Sequence, residues 1–189
     1  MRRTLIAQTR LVDPEAQAPR PGALLIEDGL IAEVFDTPFP QVADARVVDA
    51  AGACLAPGIV DLGVKIGEPG ERHKESTKTA GLAAAAGGVT TMVTRPDTDP
   101  PVDMPETLEY IRRRATETTP VRILPMAALT KGRAGREMTE IGFLMDAGAV
   151  AFTDTPNVVT DTKVLSRAMT YARSLGALIV GHPQDPGLS

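Results

Sequence analysis

The sequence predicts an α/β chain in which a small all-β portion, residues 1–54, precedes alternating strands and helices over residues 55–189. Short β-branched and leucine-rich runs, separated by turn and proline-rich segments, fill the first part. From Leu55 onward, apolar runs of strand length alternate with helical periodicity, the pattern of βα units on a parallel sheet. Aromatic residues make up only 3%, with no Trp, while Ala and Gly abound, which suits helices packed closely against a sheet.

The first strand is expected within Arg2–Asp13, followed by a proline-rich connector, Pro14–Pro21. Ala23–Phe35 reads as two strands joined at Glu27-Asp28-Gly29, because Asp-Gly supplies the positive φ angles of a tight hairpin turn. A second loose connector, Asp36–Ala45, leads to a short strand at Arg46–Asp49. Leu55–Ile66 reads as a buried strand opening into a loop with Gly67, Pro69 and Gly70. Strict alternation along it would put Asp61, Gly63 and Lys65 on one face. Further strands are expected at Val89–Thr94, Val121–Leu129, Ala149–Thr153 and Ala177–Gly181. Helices are expected at Lys74–Ala86, Pro105–Thr116, Thr139–Ala147 and Thr160–Ser174, the first ended by Gly87-Gly88.

Composition excludes several classes of function. Hydrophobic residues at 43% suffice for a core, and a net charge of -4 offers no basic field for nucleic acid or anionic lipid. Arg112–Arg114, the one run of three basic residues, reads as a solvated helix face. The single Cys54 excludes an internal disulfide and reads as a buried thiol. The N-terminal MRRTLIAQTRLVDPE lacks the apolar run of a signal peptide, so a cytoplasmic protein is expected.

The stretch Leu55–Lys74, LAPGIVDLGVKIGEPGERHK, resembles the first barrel strand of the amidohydrolase superfamily, and Glu68–Glu75, EPGERHKE, is similar to its dihydroorotase branch. The resemblance runs along essentially the whole chain. It implies a partial (β/α)8 TIM-type barrel, about the first five strands, preceded by the N-terminal portion of a β-sandwich. On this reading the chain stops mid-barrel at GHPQDPGLS and exposes an apolar strand edge.

Metal-dependent members carry Asp-x-His-x-His where this chain reads Asp61-Leu62-Gly63-Val64-Lys65. A glycine and a protonated lysine replace two imidazole ligands, and an ammonium group repels a divalent cation. The arginine that the resemblance places in the substrate site is Gly67, and Arg95 and Asp97 stand where the family has Met and Asn. Judged without the family, Pro96–Pro101 is a stiff connector in which Asp97 caps a turn. Asp154 aligns with a metal-bridging aspartate and His182 with a metal ligand, though His182 alone reads as a hydrogen-bonded structural histidine. An ion pair between Lys65 and Asp154 is the expected substitute for the metal. The loop Ala127–Arg133 matches the family's, and its glycine and charges predict mobility with Lys131 and Arg133 solvated; His73 reads as a surface or capping residue.

The resemblance implies a dihydroorotase-like protein of pyrimidine biosynthesis, closest to the bacterial homologues that lack metal ligands and activity. Such a pseudoenzyme needs no metal cofactor and supports assembly of aspartate carbamoyltransferase, as a homo- or hetero-oligomer without nucleic-acid or membrane partners. The alternative is an active cyclic amidohydrolase (dihydroorotase, hydantoinase or allantoinase) that hydrolyses a ring amide with zinc held by Asp154 and His182.

Overall fold

A computed structural model of the protein describes residues 2–185, 187 and 188; Ser189, where the sequence stops, lies outside them. The chain divides into two compact units, Met1–Pro57 and Gly58–Ser189.

The first unit is one five-stranded sheet. Strands β1 (Arg3–Leu11), β2 (Arg20–Glu27), β3 (Leu30–Phe35) and β4 (Arg46–Asp49) lie in the order β3-β2-β1-β4, and the two-residue β5 (Cys54–Leu55) also pairs with β1. Glu27 pairs with Leu30 across Asp28 and Gly29, whose φ angles of 49° and 86° form the hairpin turn that Asp-Gly predicts. Leu5, Ala7 and Ala23 form its small core. Cys54 is exposed, contrary to the expected buried thiol, because β5 covers only the end of β1.

The second unit is a mixed α/β structure. Parallel strands β6 (Ile59–Val64), β7 (Val89–Thr94) and β8 (Arg122–Pro125) form a sheet in chain order. Helix α1 (Thr77–Ala86) joins β6 to β7, and α2 (Pro105–Thr118) joins β7 to β8. Ser76 and Thr79 form a reciprocal capping box at the start of α1, and Gly88 at φ 80° carries the chain out of it. Farther on lie α3 (Ile141–Asp146) and α4 (Thr162–Leu175), the latter capped by Asp161 and ended by left-handed Gly176. Leu108, Ile141, Leu144 and Phe152 are fully buried between helices and sheet.

Four expected strands change, and one of them, Val121–Leu129, is a regular strand only over Arg122–Pro125. Leu55–Ile66 is not one strand: Leu55 pairs with β1 in the first unit, and the parallel strand begins at Ile59. Ala149–Thr153 and Ala177–Gly181 are reduced to bridges, Phe152 pairing with Ala127 on one side and Ile179 on the other. The amides of Ala127 and Leu129 donate to Ala151 and Thr153, at 2.9 and 3.3 Å, so the next donor in that series would be residue 125. Residue 125 is proline and has no N–H, which cuts the ladder short.

Candidate functional site

Of the polar residues singled out by the sequence, Lys65, Arg95 and Asp97 gather after the C-terminal ends of β6 and β7. Asp61 pairs with Met92 and Leu62 with Val93, but Val64 pairs with Thr94, so Gly63 is a bulge residue. Its φ of 83° is one that glycine adopts without cost. The bulge overturns the shared face expected for Asp61, Gly63 and Lys65: Asp61 falls on the side of Met92 and Val64, and Lys65 turns to the other. Asp61 is exposed and takes no part in the cluster that Lys65 enters.

Lys65 Nζ lies 3.3 Å from Glu71 Oε2 and 3.7 Å from Asp97 Oδ2. Asp97, its side chain 7% exposed, also receives the Arg95 guanidinium in two contacts, Nε to Oδ1 at 3.2 Å and Nη2 to Oδ2 at 2.8 Å. Asp97 is therefore a paired carboxylate and not the turn cap that its proline-rich setting suggests. Glu71 is shared with Lys74, and these two ammonium groups, Lys74 first, hold its carboxyl below the usual carboxylate range. Three of the departures from the family pattern, at positions 65, 95 and 97, thus form one connected ionic group.

Gly67 sits in the bend that brings Glu71 back toward Lys65, its carbonyl accepting from the Glu71 amide at 2.5 Å. A Cβ here would lie 2.6 Å from the Glu71 carbonyl oxygen and 2.9 Å from that of Glu75, so the backbone excludes any side chain. Beside it, Glu68 is a hub that the sequence reading missed. Its 1%-exposed carboxylate accepts from the Thr77 amide at 2.9 Å, Tyr110 Oη at 3.1 Å and Arg114 Nε at 3.1 Å, with Arg72 at 3.7 Å. Burial alone would raise its pKa, but hydrogen bonds from Thr77, Tyr110 and Arg114 outweigh that and lower it from 4.5 to about 2. The signal available was Arg114: it lies three residues past buried Ile111, beside the helix's inner face. The expected solvated arginine face accordingly fails for Arg114 alone; Arg112 and Arg113 are exposed, Arg112 donating to the Ala147 carbonyl at 2.6 Å.

Asp154 does not meet Lys65, whose ion pairs are with Glu71 and Asp97. Instead Asp154 is buried, its Oδ1 accepting from the amides of Leu129 and Thr130, both at 3.0 Å, and its Oδ2 from the Thr130 hydroxyl. That removes the expected Lys65–Asp154 pair: the carboxylate is already satisfied by the backbone it holds. The loop after Thr130 is tied at further points, by Gly132 N to Asp103 at 2.7 Å and by Thr139 Oγ1 to the Ala128 carbonyl at 2.8 Å. Lys131 is exposed and pairs with Glu137; half-buried Arg133 donates to the Thr155 carbonyl at 3.2 Å and is not simply solvated. His182 lies 2.9 Å from Gln184 Oε1 and shares a cleft of about 80 Å³ with Asp154 and Asn157. His73 is exposed.

A family model described as "Dihydro-orotase-like" matches residues 52–189. The chain belongs to that family. A dihydroorotase of Sulfurihydrogenibium sp. is 40% identical over 185 residues, 98% of this chain and 44% of its own length. One from Syntrophobacter fumaroxidans is 35% identical over 188 residues, again 98% of this chain and 43% of its own. This dihydroorotase-like chain therefore spans less than half the length of these relatives. Among solved structures, the L-hydantoinase (dihydropyrimidinase) from Arthrobacter aurescens shares the fold with a TM-score of 0.77 at 22% identity, covering 95% of this chain and 40% of that one.

A zinc-type cation, usual in this family, finds no suitable donor set among the described residues. Among the described residues, no three His, Cys, Asp or Glu side chains converge as a metal site. Gly63 offers no donor, Lys65 places an ammonium group against its carboxylates, and Asp154 already accepts three hydrogen bonds from Leu129 and Thr130. The residues present do not fit the metal. No helix among the described residues is long and apolar enough to cross a membrane.

Proposed function

We propose that the second unit is the first part of a (β/α)8 barrel, about five strands of it, and that the first unit belongs to a β-sandwich. On that reading the protein is a dihydroorotase-like member of pyrimidine biosynthesis that does not hydrolyse dihydroorotate and serves in assembly of aspartate carbamoyltransferase. It works without a metal, in the cytoplasm, as part of an oligomer.

The observation that carries this is the Lys65–Asp97 contact of 3.7 Å, where the family pattern has an imidazole and an amide. An ammonium group neutralised by carboxylates replaces the cation that a ligand set would have held. Arg95 further neutralises Asp97, so the group is complete without an added ion.

A second reading, an active cyclic amidohydrolase (dihydroorotase, hydantoinase or allantoinase) hydrolysing a ring amide, is favoured by one observation: Asp154 and His182 line the same small cleft. Zinc there would need ligands from outside these residues. Metal analysis of the natural full-length protein, with a dihydroorotate turnover assay and co-purification from cells, decides between the two. Metal-free protein without turnover, recovered together with aspartate carbamoyltransferase, supports the assembly role. Stoichiometric zinc with turnover overturns it, and a metal-free, inactive protein recovered without the transcarbamoylase overturns the partner.

A further inference from the structure

The three consecutive arginines of α2 have different surroundings. Arg114 turns inward to Glu68, and Arg112 donates to a neutral carbonyl, that of Ala147. Arg112 and Arg113, together with Arg122 at the start of β8, line a cavity of about 380 Å³ to which Thr116 and Thr119 also contribute. None of these three guanidinium groups has an ion pair among the described residues. In a chain of net charge -4, this is a local concentration of cations with no carboxylate in ion-pair contact among the described residues.

The bland account of such arginines is that they complement the negative end of a helix. It does not hold here, because the last turn of α2 contains no basic residue. Two carbonyls near that end, those of Arg112 and Arg114, already accept from the hydroxyls of Thr116 and Thr118, at 3.0 and 2.7 Å. Nor does the cavity belong to the site described above. Arg122 opens β8, whereas Lys65, Arg95 and Asp97 follow the ends of β6 and β7, so the two lie at opposite ends of the parallel sheet.

We infer that this cavity is a binding site for a small phosphate-bearing molecule. Guanidinium groups present planar pairs of N–H donors that match the oxygens of a phosphoryl group. Arginines lining one cavity, Arg113 and Arg122 with no side-chain bond among the described residues and Arg112 held at its edge by the Ala147 carbonyl, suit a multiply charged phosphate better than a single carboxylate. The volume falls within the roughly 300–1,000 Å³ usual for small-molecule pockets. This inference does not depend on whether the protein hydrolyses a ring amide.

The test is calorimetric titration of the full chain with pyrophosphate at an ionic strength fixed by sodium chloride, beside malonate as a carboxylate probe. Saturable one-to-one binding of pyrophosphate is expected, at least about tenfold tighter than malonate, and weakened at least about tenfold in Arg113→Gln/Arg122→Gln. The Arg113→Lys/Arg122→Lys variant, which keeps charge but loses the planar donor pair, is expected between the two. Should the glutamine variant fail to fold, backbone amide shifts of Thr116 and Arg122 on titration of the unaltered protein report the same site. Equal binding by wild type and the glutamine variant, absence of saturation, malonate binding as tight as pyrophosphate, or shifts confined to other residues would each overturn the assignment.

Discussion

Arg95 grips Asp97 from two residues away, Nη2 to Oδ2 at 2.8 Å and Nε to Oδ1 at 3.2 Å, in a position where only 7% of the Asp97 side chain reaches solvent. A carboxylate so enclosed depends on its partners. Asp97→Asn, which installs the family's residue, leaves Arg95 and Lys65 facing a neutral amide and is expected to cost about 2 kcal/mol, as loss of a charged hydrogen-bond pair does. Combining it with Arg95→Met should recover part of that loss. A double-mutant cycle by denaturant unfolding is expected to give a coupling energy of about 1–2 kcal/mol, and additivity would dissolve the pair.

Asp154 holds the Leu129–Thr130 segment through three donors, two amides and a hydroxyl. Asp154→Ala strands all three in a buried setting and should cost about 3 kcal/mol or more. The same variant should speed hydrogen exchange at the Leu129 and Thr130 amides more than elsewhere. A uniform change in exchange across the chain would mean the carboxylate does not clasp this loop.

Restoring the family's histidines should not restore chemistry. In Gly63→His/Lys65→His, residue 63 must hold a φ of 83°, which strains an L-residue by about 1–2 kcal/mol. The second histidine would leave Glu71 and Asp97 without their shared ammonium partner. Adding Gly67→Arg drives a side chain into carbonyl oxygens 2.6 and 2.9 Å from its Cβ. The expected outcome for the double variant is a lower thermal midpoint and no turnover of dihydroorotate in the presence of zinc. Measurable hydrolysis by the double variant would contradict it.

How far the sequence carries depends on the range of the forces involved. The Asp28-Gly29 hairpin, β4 and β7 are legible because their signals are local: a dipeptide with the right φ preferences and short runs rich in β-branched residues. The shared face of Asp61 and Lys65 is lost to one bulge at Gly63, since a single inserted residue inverts everything after it. The strand expected over Val121–Leu129 runs through Pro125, whose missing N–H shortens the ladder only because of the neighbour it would face. Lys65, Glu71, Arg95 and Asp97 each stood in a recognisable motif, yet their convergence depends on the bend at Gly67 and the parallel placement of β6 and β7. Glu68 lay hidden because its partners Tyr110 and Arg114 come from a helix far along the chain.

That buried glutamate gives a prediction in pH. Its folded-state pKa of about 2 lies below its ordinary value of 4.5, so the unfolded chain binds its proton more tightly. The stabilisation is therefore complete above pH 4.5 and is lost as pH falls toward 2. At 1.36 kcal/mol per unit the carboxylate contributes about 3 kcal/mol at neutral pH. Glu68→Gln should remove that contribution and leave Arg114 without its buried partner, so the variant is less stable at pH 7. Between pH 4.5 and 2 its stability should fall less steeply than that of the wild type, with the two curves converging at the acid end. Unfolding midpoints measured across that range check both statements, and parallel curves would show that Glu68 titrates the same way folded and unfolded.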